Sequence, residues 1–139
     1  MKREKSCGAI VFRMEDKIKF LLLHYGAGHW EFPRGHAQKD EEETETALRE
    51  LKEETGISKV KLIEGFRKEI NFYFRKQNEL IFKTAVFYLF ETKQKHVKLS
   101  FEHTGYKWAN IQTALKTLTF KDSKKVIEAA NEFLMKKAR

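Results

Sequence analysis

The chain has 139 residues, of which 41% are hydrophobic, and its formal net charge is +8. This length and composition predict one domain, residues 1–139, with its own core, and they exclude a disordered chain. The first apolar run ends at Arg13 and is too short for a signal peptide or a membrane span, so we expect a soluble cytoplasmic protein without membrane contact. The single cysteine, Cys7, excludes an intramolecular disulfide and is expected to be buried on a strand.

The first half of the chain predicts two strands, a loop and a helix. Apolar runs at 6–13 and 18–25 are typical of buried strands. The segment 26–36, GAGHWEFPRGH, contains three glycines and the only proline, and it predicts a loop. Residues 41–55 carry a helical pattern that ends before a glycine.

The second half predicts strands followed by helices. Three β-like runs occupy 59–66, 69–75 and 80–91, and the last two are expected to form a hairpin across KQNE. A short strand is expected at 105–109, and one or two helices from about 110 to 135. Because strands and helices do not alternate strictly, the pattern indicates an α+β fold with a mixed sheet and helices on its faces.

The predicted helix at 41–55 is unusually acidic for a basic protein. Eight of the twenty acidic residues lie within the fifteen positions from Asp40 to Glu54. Helical spacing places Glu50, Glu53 and Glu54 on one face, beside a stripe that should pack on the core. The residues expected in that stripe are Ala47, Leu48 and Leu51.

Two interpretations of this acidic face remain open at this point. Like charges at helical spacing destabilise a helix by about 0.2–0.5 kcal/mol per pair, and a divalent cation between them would reverse that effect. Mg²⁺ and Mn²⁺ prefer carboxylate oxygens, so the face could bind a metal that in turn binds phosphate. Alternatively, the face is solvated and its charges pair with Arg49 and Lys52.

A longer motif favours the metal interpretation. Residues 35–57 read G-x5-E-x7-R-E-L-x-E-E-x-G-I, which resembles the signature of the Nudix hydrolases at every fixed position. The resemblance implies a mixed β-sheet between helices, an α/β/α sandwich, with the signature forming a loop–helix–loop. It also implies hydrolysis of a nucleoside diphosphate linked to another group, with Mg²⁺ or Mn²⁺ as cofactor.

The resemblance assigns roles within the motif. It implies a metal site formed by Gly35, through its carbonyl, and by Glu50, Glu53 and Glu54. Arg49 is expected to orient a motif glutamate by a charge-assisted hydrogen bond, and Glu41 to support the site. Either Glu50 or Glu54 is a candidate for the base that takes the proton of water.

Outside the motif, the chain resembles the asymmetrical diadenosine tetraphosphate hydrolases of this family. The stretches that carry this resemblance are SCGAIVFR, FLLLHYGAGHWEFPRGHA, LIEGFRKEINFYF, SFEHTGYKWANIQTAL and LTFKDSKKVIEAANEFL. That subgroup typically has W-x-x-P-K-G-H, where this chain has WEFPRGH, with Arg34 in place of lysine. Arginine keeps the positive charge and adds a bidentate fork for phosphate.

The subgroup implies further site residues. Contacts to the polyphosphate are expected from His29, Arg34, His36 and Lys83. Glu102 is expected to reach the metal site as a ligand or base. Tyr73 and Phe120 are expected to sandwich an adenine, with Phe72 or Phe74 as alternatives to Tyr73. Each of these residues also has a structural alternative, such as a loop contact for the histidines or core packing for Phe120.

The resulting hypothesis is a monomeric, Mg²⁺-dependent enzyme that cuts diadenosine tetraphosphate into ATP and AMP. The main alternative is an RNA 5′-pyrophosphohydrolase, which the positive charge would suit and which a long basic stripe beside the site would favour. A triphosphatase for oxidised nucleotides is a further alternative, without supporting residues. A non-catalytic nucleotide-binding module would be expected to lack motif glutamates, all of which are present.

Overall fold

The computed structural model describes residues 1–138, and these form seven strands and three helices. The strands are β1 (Lys2–Met14), β2 (Ile18–Tyr25), β3 (Trp30–Glu31), β4 (Arg34–His36), β5 (Val60–Lys76), β6 (Glu79–Thr92) and β7 (His103–Ala109). The helices are α1 (Glu43–Thr55), α2 (Ile111–Thr117) and α3 (Lys121–Lys137). None of the described helices combines the length and hydrophobicity needed to span a bilayer.

All seven strands join one mixed sheet in the order β3-β2-β1-β6-β5, while β4 also pairs with β1 and β7 with β2. The central strands β1 and β6 are parallel, and the other pairs are antiparallel. The pairing of β4 with β1 places Gly35 opposite Cys7 in the interior of the sheet. The loop that carries the first motif glycine is thereby fixed to the central strand.

Helices cover both faces of the sheet, which confirms the predicted α/β/α arrangement. On one face α1 buries Ala47 and Leu51, and on the other α2 and α3 bury apolar residues such as Ala114 and Val126. The expectation that Leu48 belongs to the core stripe is wrong, because its side chain is 38% exposed. The buried stripe of α1 runs instead through Thr46, Ala47, Leu51, Glu54 and Thr55.

The predicted strand boundaries differ from the structure in two places. The loop predicted at 26–36 contains the short strands β3 and β4. The runs predicted at 59–66 and 69–75 form a single strand, β5, whose register shifts near Gly65, at a φ of 97°. The predicted hairpin is confirmed, and Gln77 and Asn78 turn it with positive φ angles, as a two-residue type I′ turn requires.

A polar network joins the first turn of α1 to the sheet. Arg67 on β5 donates from Nε and Nη2 to the two carboxylate oxygens of Glu43, at 2.9 and 3.0 Å. The hydroxyl of Tyr88 donates to the same carboxylate, and Nζ of Lys5 lies 2.5 Å from it. The carboxylate of Glu43 therefore holds one end of α1 against three strands.

We expect Glu43→Gln to lower the free energy of unfolding by about 1 kcal/mol at pH 7. The hydrogen bond from Arg67 first, then those from Lys5 and Tyr88, hold the pKa of Glu43 well below its usual range, although burial opposes them. Because the folded-state pKa is lowered, this stabilisation is complete above the unfolded-state pKa and is lost as pH falls through the folded-state pKa. Denaturant titrations from pH 7 to pH 3 should show the two proteins converging, and a constant difference would contradict the network.

Candidate active site

Gly35 and Glu50 meet where β4 lies against α1. The carboxyl group of Glu50 packs so closely on Gly35 that a Cβ atom at position 35 would overlap the carboxyl carbon and both oxygens. Any other residue at position 35 would displace Glu50. The structure therefore brings two predicted metal-site residues together and gives a physical reason for glycine at the start of the motif.

Arg49 connects three motif carboxylates to the loop. Its Nε donates to Glu41 at 2.8 Å, and its Nη1 donates to Glu50 at 2.9 Å and to Glu53 at 3.2 Å. Its Nη2 donates to the backbone carbonyl of His36 at 2.9 Å. The hydrogen bond from Arg49 is the main cause that lowers the pKa of Glu41 to about 2. One guanidinium thus fixes the positions of several carboxylates, as the motif predicted for Arg49.

Glu54 is a buried acid, with only 5% of its surface exposed. Its Oε1 lies 3.5 Å from the hydroxyl of Tyr25 and 3.2 Å from Nε2 of His103, although the latter contact lacks hydrogen-bond geometry. Burial first, and then Glu50 and Glu102, raise the pKa of Glu54 well above its usual range. Burial also lowers the pKa of His103, so this imidazole does not readily supply a compensating charge. A negative charge on Glu54 is unfavourable until a cation offsets it.

The oxygen atoms of this cluster are of the kind that a hard divalent cation binds. The side chains, however, are not arranged as a complete set of metal ligands. Within residues 1–138, no group of three or more His, Cys, Asp or Glu side chains is arranged to bind a metal ion. Glu53 is directed towards Arg49, whereas Glu50 packs on Gly35 and contributes to the raised pKa of Glu54. Carboxylate oxygens are the ligands that Mg²⁺ and Mn²⁺ prefer, and a cation near Glu50 and Glu54 would stabilise their charged forms.

An open groove of about 500 Å³ runs past this cluster. The predicted site residues that line it are Arg34, Gly35, His36, Arg49, Glu50, Lys83 and Glu102. Arg34 and Lys83 both line the groove, and burial first, and then the charge of Arg34, lower the pKa of Lys83. The groove therefore places the cations Arg34 and Lys83 next to motif carboxylates, and its lining includes Glu102.

The carboxylate of Glu4 lies next to the basic side chains of the groove, and the sequence did not indicate this contact. Nζ of Lys83 lies 3.3 Å from Nε2 of His36. Oε1 of Glu4, on β1, lies 3.5 Å from the same imidazole nitrogen and 4.0 Å from Nζ of Lys83. Glu4 and Lys83 are direct partners across the parallel β1–β6 pair. A phosphate entering this part of the groove would compete with the carboxylate of Glu4.

A more apolar cavity of about 300 Å³ adjoins the groove, because Arg34 lines both. Phe72 and Phe120 line this cavity together with Ile70. The predicted pairing of Tyr73 with Phe120 is wrong. Tyr73 is 61% exposed and packs on Phe82, 5.0 Å away, because successive side chains of β5 point to opposite faces of the sheet. Phe72, one of the two alternatives to Tyr73 together with Phe74, lines the same cavity as Phe120.

His29 lies between the two parts of the site. Its ring stacks on Tyr25, with centroids 4.7 Å apart, and lies 5.6 Å from the ring of Phe120. This position is compatible with a contact to the substrate between the groove and the cavity. Phe120 is 47% exposed, and it is therefore not a core residue.

Sequence reasoning missed several residues of the site. Tyr25 and His103 surround Glu54, and Glu31 lies in the cavity with Phe72. Glu31 and His103 are buried and Tyr25 is partly buried, and a single sequence gives little sign of such burial. The partner of Glu31, for example, is Ser123, 92 positions away.

Comparison with known proteins agrees with this geometry. The family model described as NUDIX domain matches residues 2–130. The asymmetrical bis(5′-nucleosyl)-tetraphosphatase of Mus musculus is 38% identical over 94% of this chain and 95% of its own length. A crystal structure of a Caenorhabditis elegans Ap4A hydrolase binary complex superposes with a TM-score of 0.84 at 28% identity, over 95% of this chain and 98% of that one. An RNA pyrophosphohydrolase of Bartonella tribocorum is 37% identical over only 42% of this chain and 39% of its own.

Proposed function

The chain belongs to the Nudix family, and from this membership we propose that it is a divalent-metal-dependent hydrolase that converts diadenosine tetraphosphate to ATP and AMP. The observation that carries the proposal is the 38% identity to asymmetrical bis(5′-nucleosyl)-tetraphosphatases over 94% of the chain. The arrangement of the site supports it, because a cationic groove beside the motif carboxylates leads into a cavity with two aromatic rings.

The proposed substrate would span both parts of the site. Its phosphates would lie in the groove, where Arg34 offers a bidentate fork and Lys83 a point charge. One adenine would enter the cavity between Phe72 and Phe120, since stacking suits a base that is recognised by its flat face. Because Arg34 borders both spaces, it would hold the phosphate nearest the base.

Glu50, Glu53, Glu54 and Glu102 would hold the metal, together with the carbonyl of Gly35. A divalent cation bound there supplies charge neutralisation for the phosphates and lowers the pKa of water. Arg49 would keep Glu50 and Glu53 in position, and a carboxylate oxygen of Glu50 or Glu54 would accept the proton of the attacking water. The water oxygen would bond to a phosphorus next to one adenosine, and the bridging P–O bond would break to release AMP and ATP.

We expect Phe72→Ala to raise the KM for diadenosine tetraphosphate by about tenfold, because a stacking contact contributes about 1–3 kcal/mol per base. Tyr73→Ala is the matched control. It removes a neighbouring aromatic ring that lies on the opposite face of β5, and it should leave KM within about twofold. Steady-state kinetics of the two variants check this expectation. A larger effect at Tyr73 than at Phe72 would contradict the position of the base.

A product assay tests the proposed function. The protein, with Mg²⁺, is incubated separately with diadenosine tetraphosphate, 5′-triphosphate RNA and oxidised dGTP, and the products are separated by chromatography. ATP and AMP in equal amounts from the first substrate would support the proposal. Absence of ATP from that substrate, together with pyrophosphate from the RNA, would overturn it.

The second candidate, an RNA 5′-pyrophosphohydrolase, is favoured by the net charge of +8 and by the open groove. The similarity to RNA pyrophosphohydrolases covers less than half of the chain, which makes this the weaker candidate. The same assay separates the two, because only a dinucleotide substrate yields ATP.

A further inference from the structure

We propose that Glu31 determines the base specificity of the site by accepting a hydrogen bond from an amino group of the bound purine. This inference rests on the proposed function, in that it places a nucleobase in the cavity between Phe72 and Phe120. It adds a chemical criterion, an amino group at C6 of the purine, to a site whose aromatic rings alone would accept any base.

Glu31 is a buried acid at a cavity with both apolar and charged walls. Only 2% of its surface is exposed, and it lines the cavity with Phe72 and Phe120 and with the charged residues Arg34 and Asp122. Buried acids of this kind normally satisfy their oxygens with hydrogen bonds. The hydroxyl of Ser123 donates to Oε1, and the backbone N–H of Phe32 donates to Oε2 at 3.2 Å. The carboxyl group is therefore fixed in place at the wall of the cavity.

The carboxylate of Glu31 can accept further hydrogen bonds. A carboxylate has about four lone-pair positions, and among residues 1–138 two donors reach it. Adenine carries an amino group at C6 that can donate to such an oxygen. Guanine and hypoxanthine both have a carbonyl oxygen at C6, which would repel the carboxylate. Leaving a buried acceptor without its partner is the usual way in which a site rejects an analogue.

A second role for Glu31 must be separated from base recognition. Its hydrogen bond to Ser123, together with a hydrogen bond from the backbone N–H of Trp30 to Oγ1 of Thr119 at 2.8 Å, ties the start of α3 to β3. Phe120 lies in this tied segment. A purely structural Glu31 would therefore position Phe120 and would affect all bases equally.

The test measures binding of AMP, GMP and IMP by calorimetry and, in parallel, kcat/KM for the three corresponding dinucleoside tetraphosphates. Glu31→Gln changes the proposed acceptor itself. Ser123→Ala removes the hydrogen bond between Ser123 and Glu31 but keeps the Glu31 carboxylate. Glu128→Gln changes an exposed acid of α3 and serves as the control. We expect the wild-type protein to bind AMP about tenfold more tightly than GMP or IMP, the effect of one hydrogen bond to a charged group. Glu31→Gln should bring this ratio close to one, while both other variants keep it.

If the wild-type protein bound AMP and IMP equally tightly, that result alone would overturn the inference. An unchanged ratio in Glu31→Gln, or the same loss of the ratio in Ser123→Ala, would also overturn it in favour of a structural role. Nucleotide binding does not depend on turnover. A protein that discriminates AMP from IMP but fails to release ATP from diadenosine tetraphosphate would refute the proposed function and leave the role of Glu31 standing.

Discussion

Glu53→Gln is expected to lower kcat by at least about 100-fold in the presence of Mg²⁺, because it removes a negative oxygen ligand from the proposed metal site. The reaction to be measured is the release of ATP from diadenosine tetraphosphate at saturating substrate. Metal affinity provides a second measurement that does not depend on turnover. Mg²⁺ or Mn²⁺ should raise the melting temperature of the wild-type protein more than that of the variant.

The structure separates this functional effect from a structural one. The side chain of Glu53 is 57% exposed, and its described partner is Arg49, one turn earlier on α1. An exposed pair at this helical spacing contributes about 0.3–0.5 kcal/mol, so the metal-free variant should be nearly as stable as the wild type. A large loss of kcat with little loss of stability therefore points to the metal site.

A matched control lies on α3. Glu132 forms the same kind of pair with Lys136, one turn later, at 3.7 Å and with similar exposure. Glu132→Gln should change neither kcat nor the stabilisation by Mg²⁺. If Glu53→Gln also turned over at nearly the wild-type rate, Glu53 would not be a ligand, and its contact with Arg49 would be its main role.

Much of the fold and of the arrangement of the motif residues could be predicted because the relevant signals are local. The acidic helix, its end at Gly56, the hairpin at KQNE and the motif that joins Gly35 to α1 all depend on residues close in sequence. The close packing of Glu50 on Gly35 gives this spacing a physical cause. Local patterns of this kind are what a single sequence reports well.

The errors arose where long-range packing decides the outcome. One position of register on β5 separates Phe72, in the cavity, from Tyr73, on the opposite face, and the apolar run NFYF does not distinguish them. Leu48 has the same apolar character as Leu51 but lies at the side of α1, where it is partly exposed. The buried carboxylate of Glu31 accepts a hydrogen bond from Ser123, and the residues near Glu31 in sequence do not predict that contact.

Arg49→Lys is expected to lower kcat by about 100-fold although it keeps the positive charge. Arg49 holds Glu41, Glu50 and Glu53 and the carbonyl of His36 through several N–H groups at once. Lysine has a single ammonium group with no planar fork, so it cannot maintain these contacts together. Misplacement of Glu50 and Glu53 by a fraction of a bond length would disturb the metal site that they are proposed to form.

Arg67→Lys is the control for the loss of a two-nitrogen guanidinium contact that lies outside the groove. Arg67 donates through two nitrogens to Glu43, at distances similar to those that Arg49 makes with Glu41, but neither Arg67 nor Glu43 lines the groove. Both variants should lose about 1–2 kcal/mol of unfolding free energy, measured by denaturant titration. Only Arg49→Lys should lose kcat. Equal kcat values in the two variants would show that the geometry around Arg49 matters for stability alone, and the charge at position 49 would then suffice for the reaction.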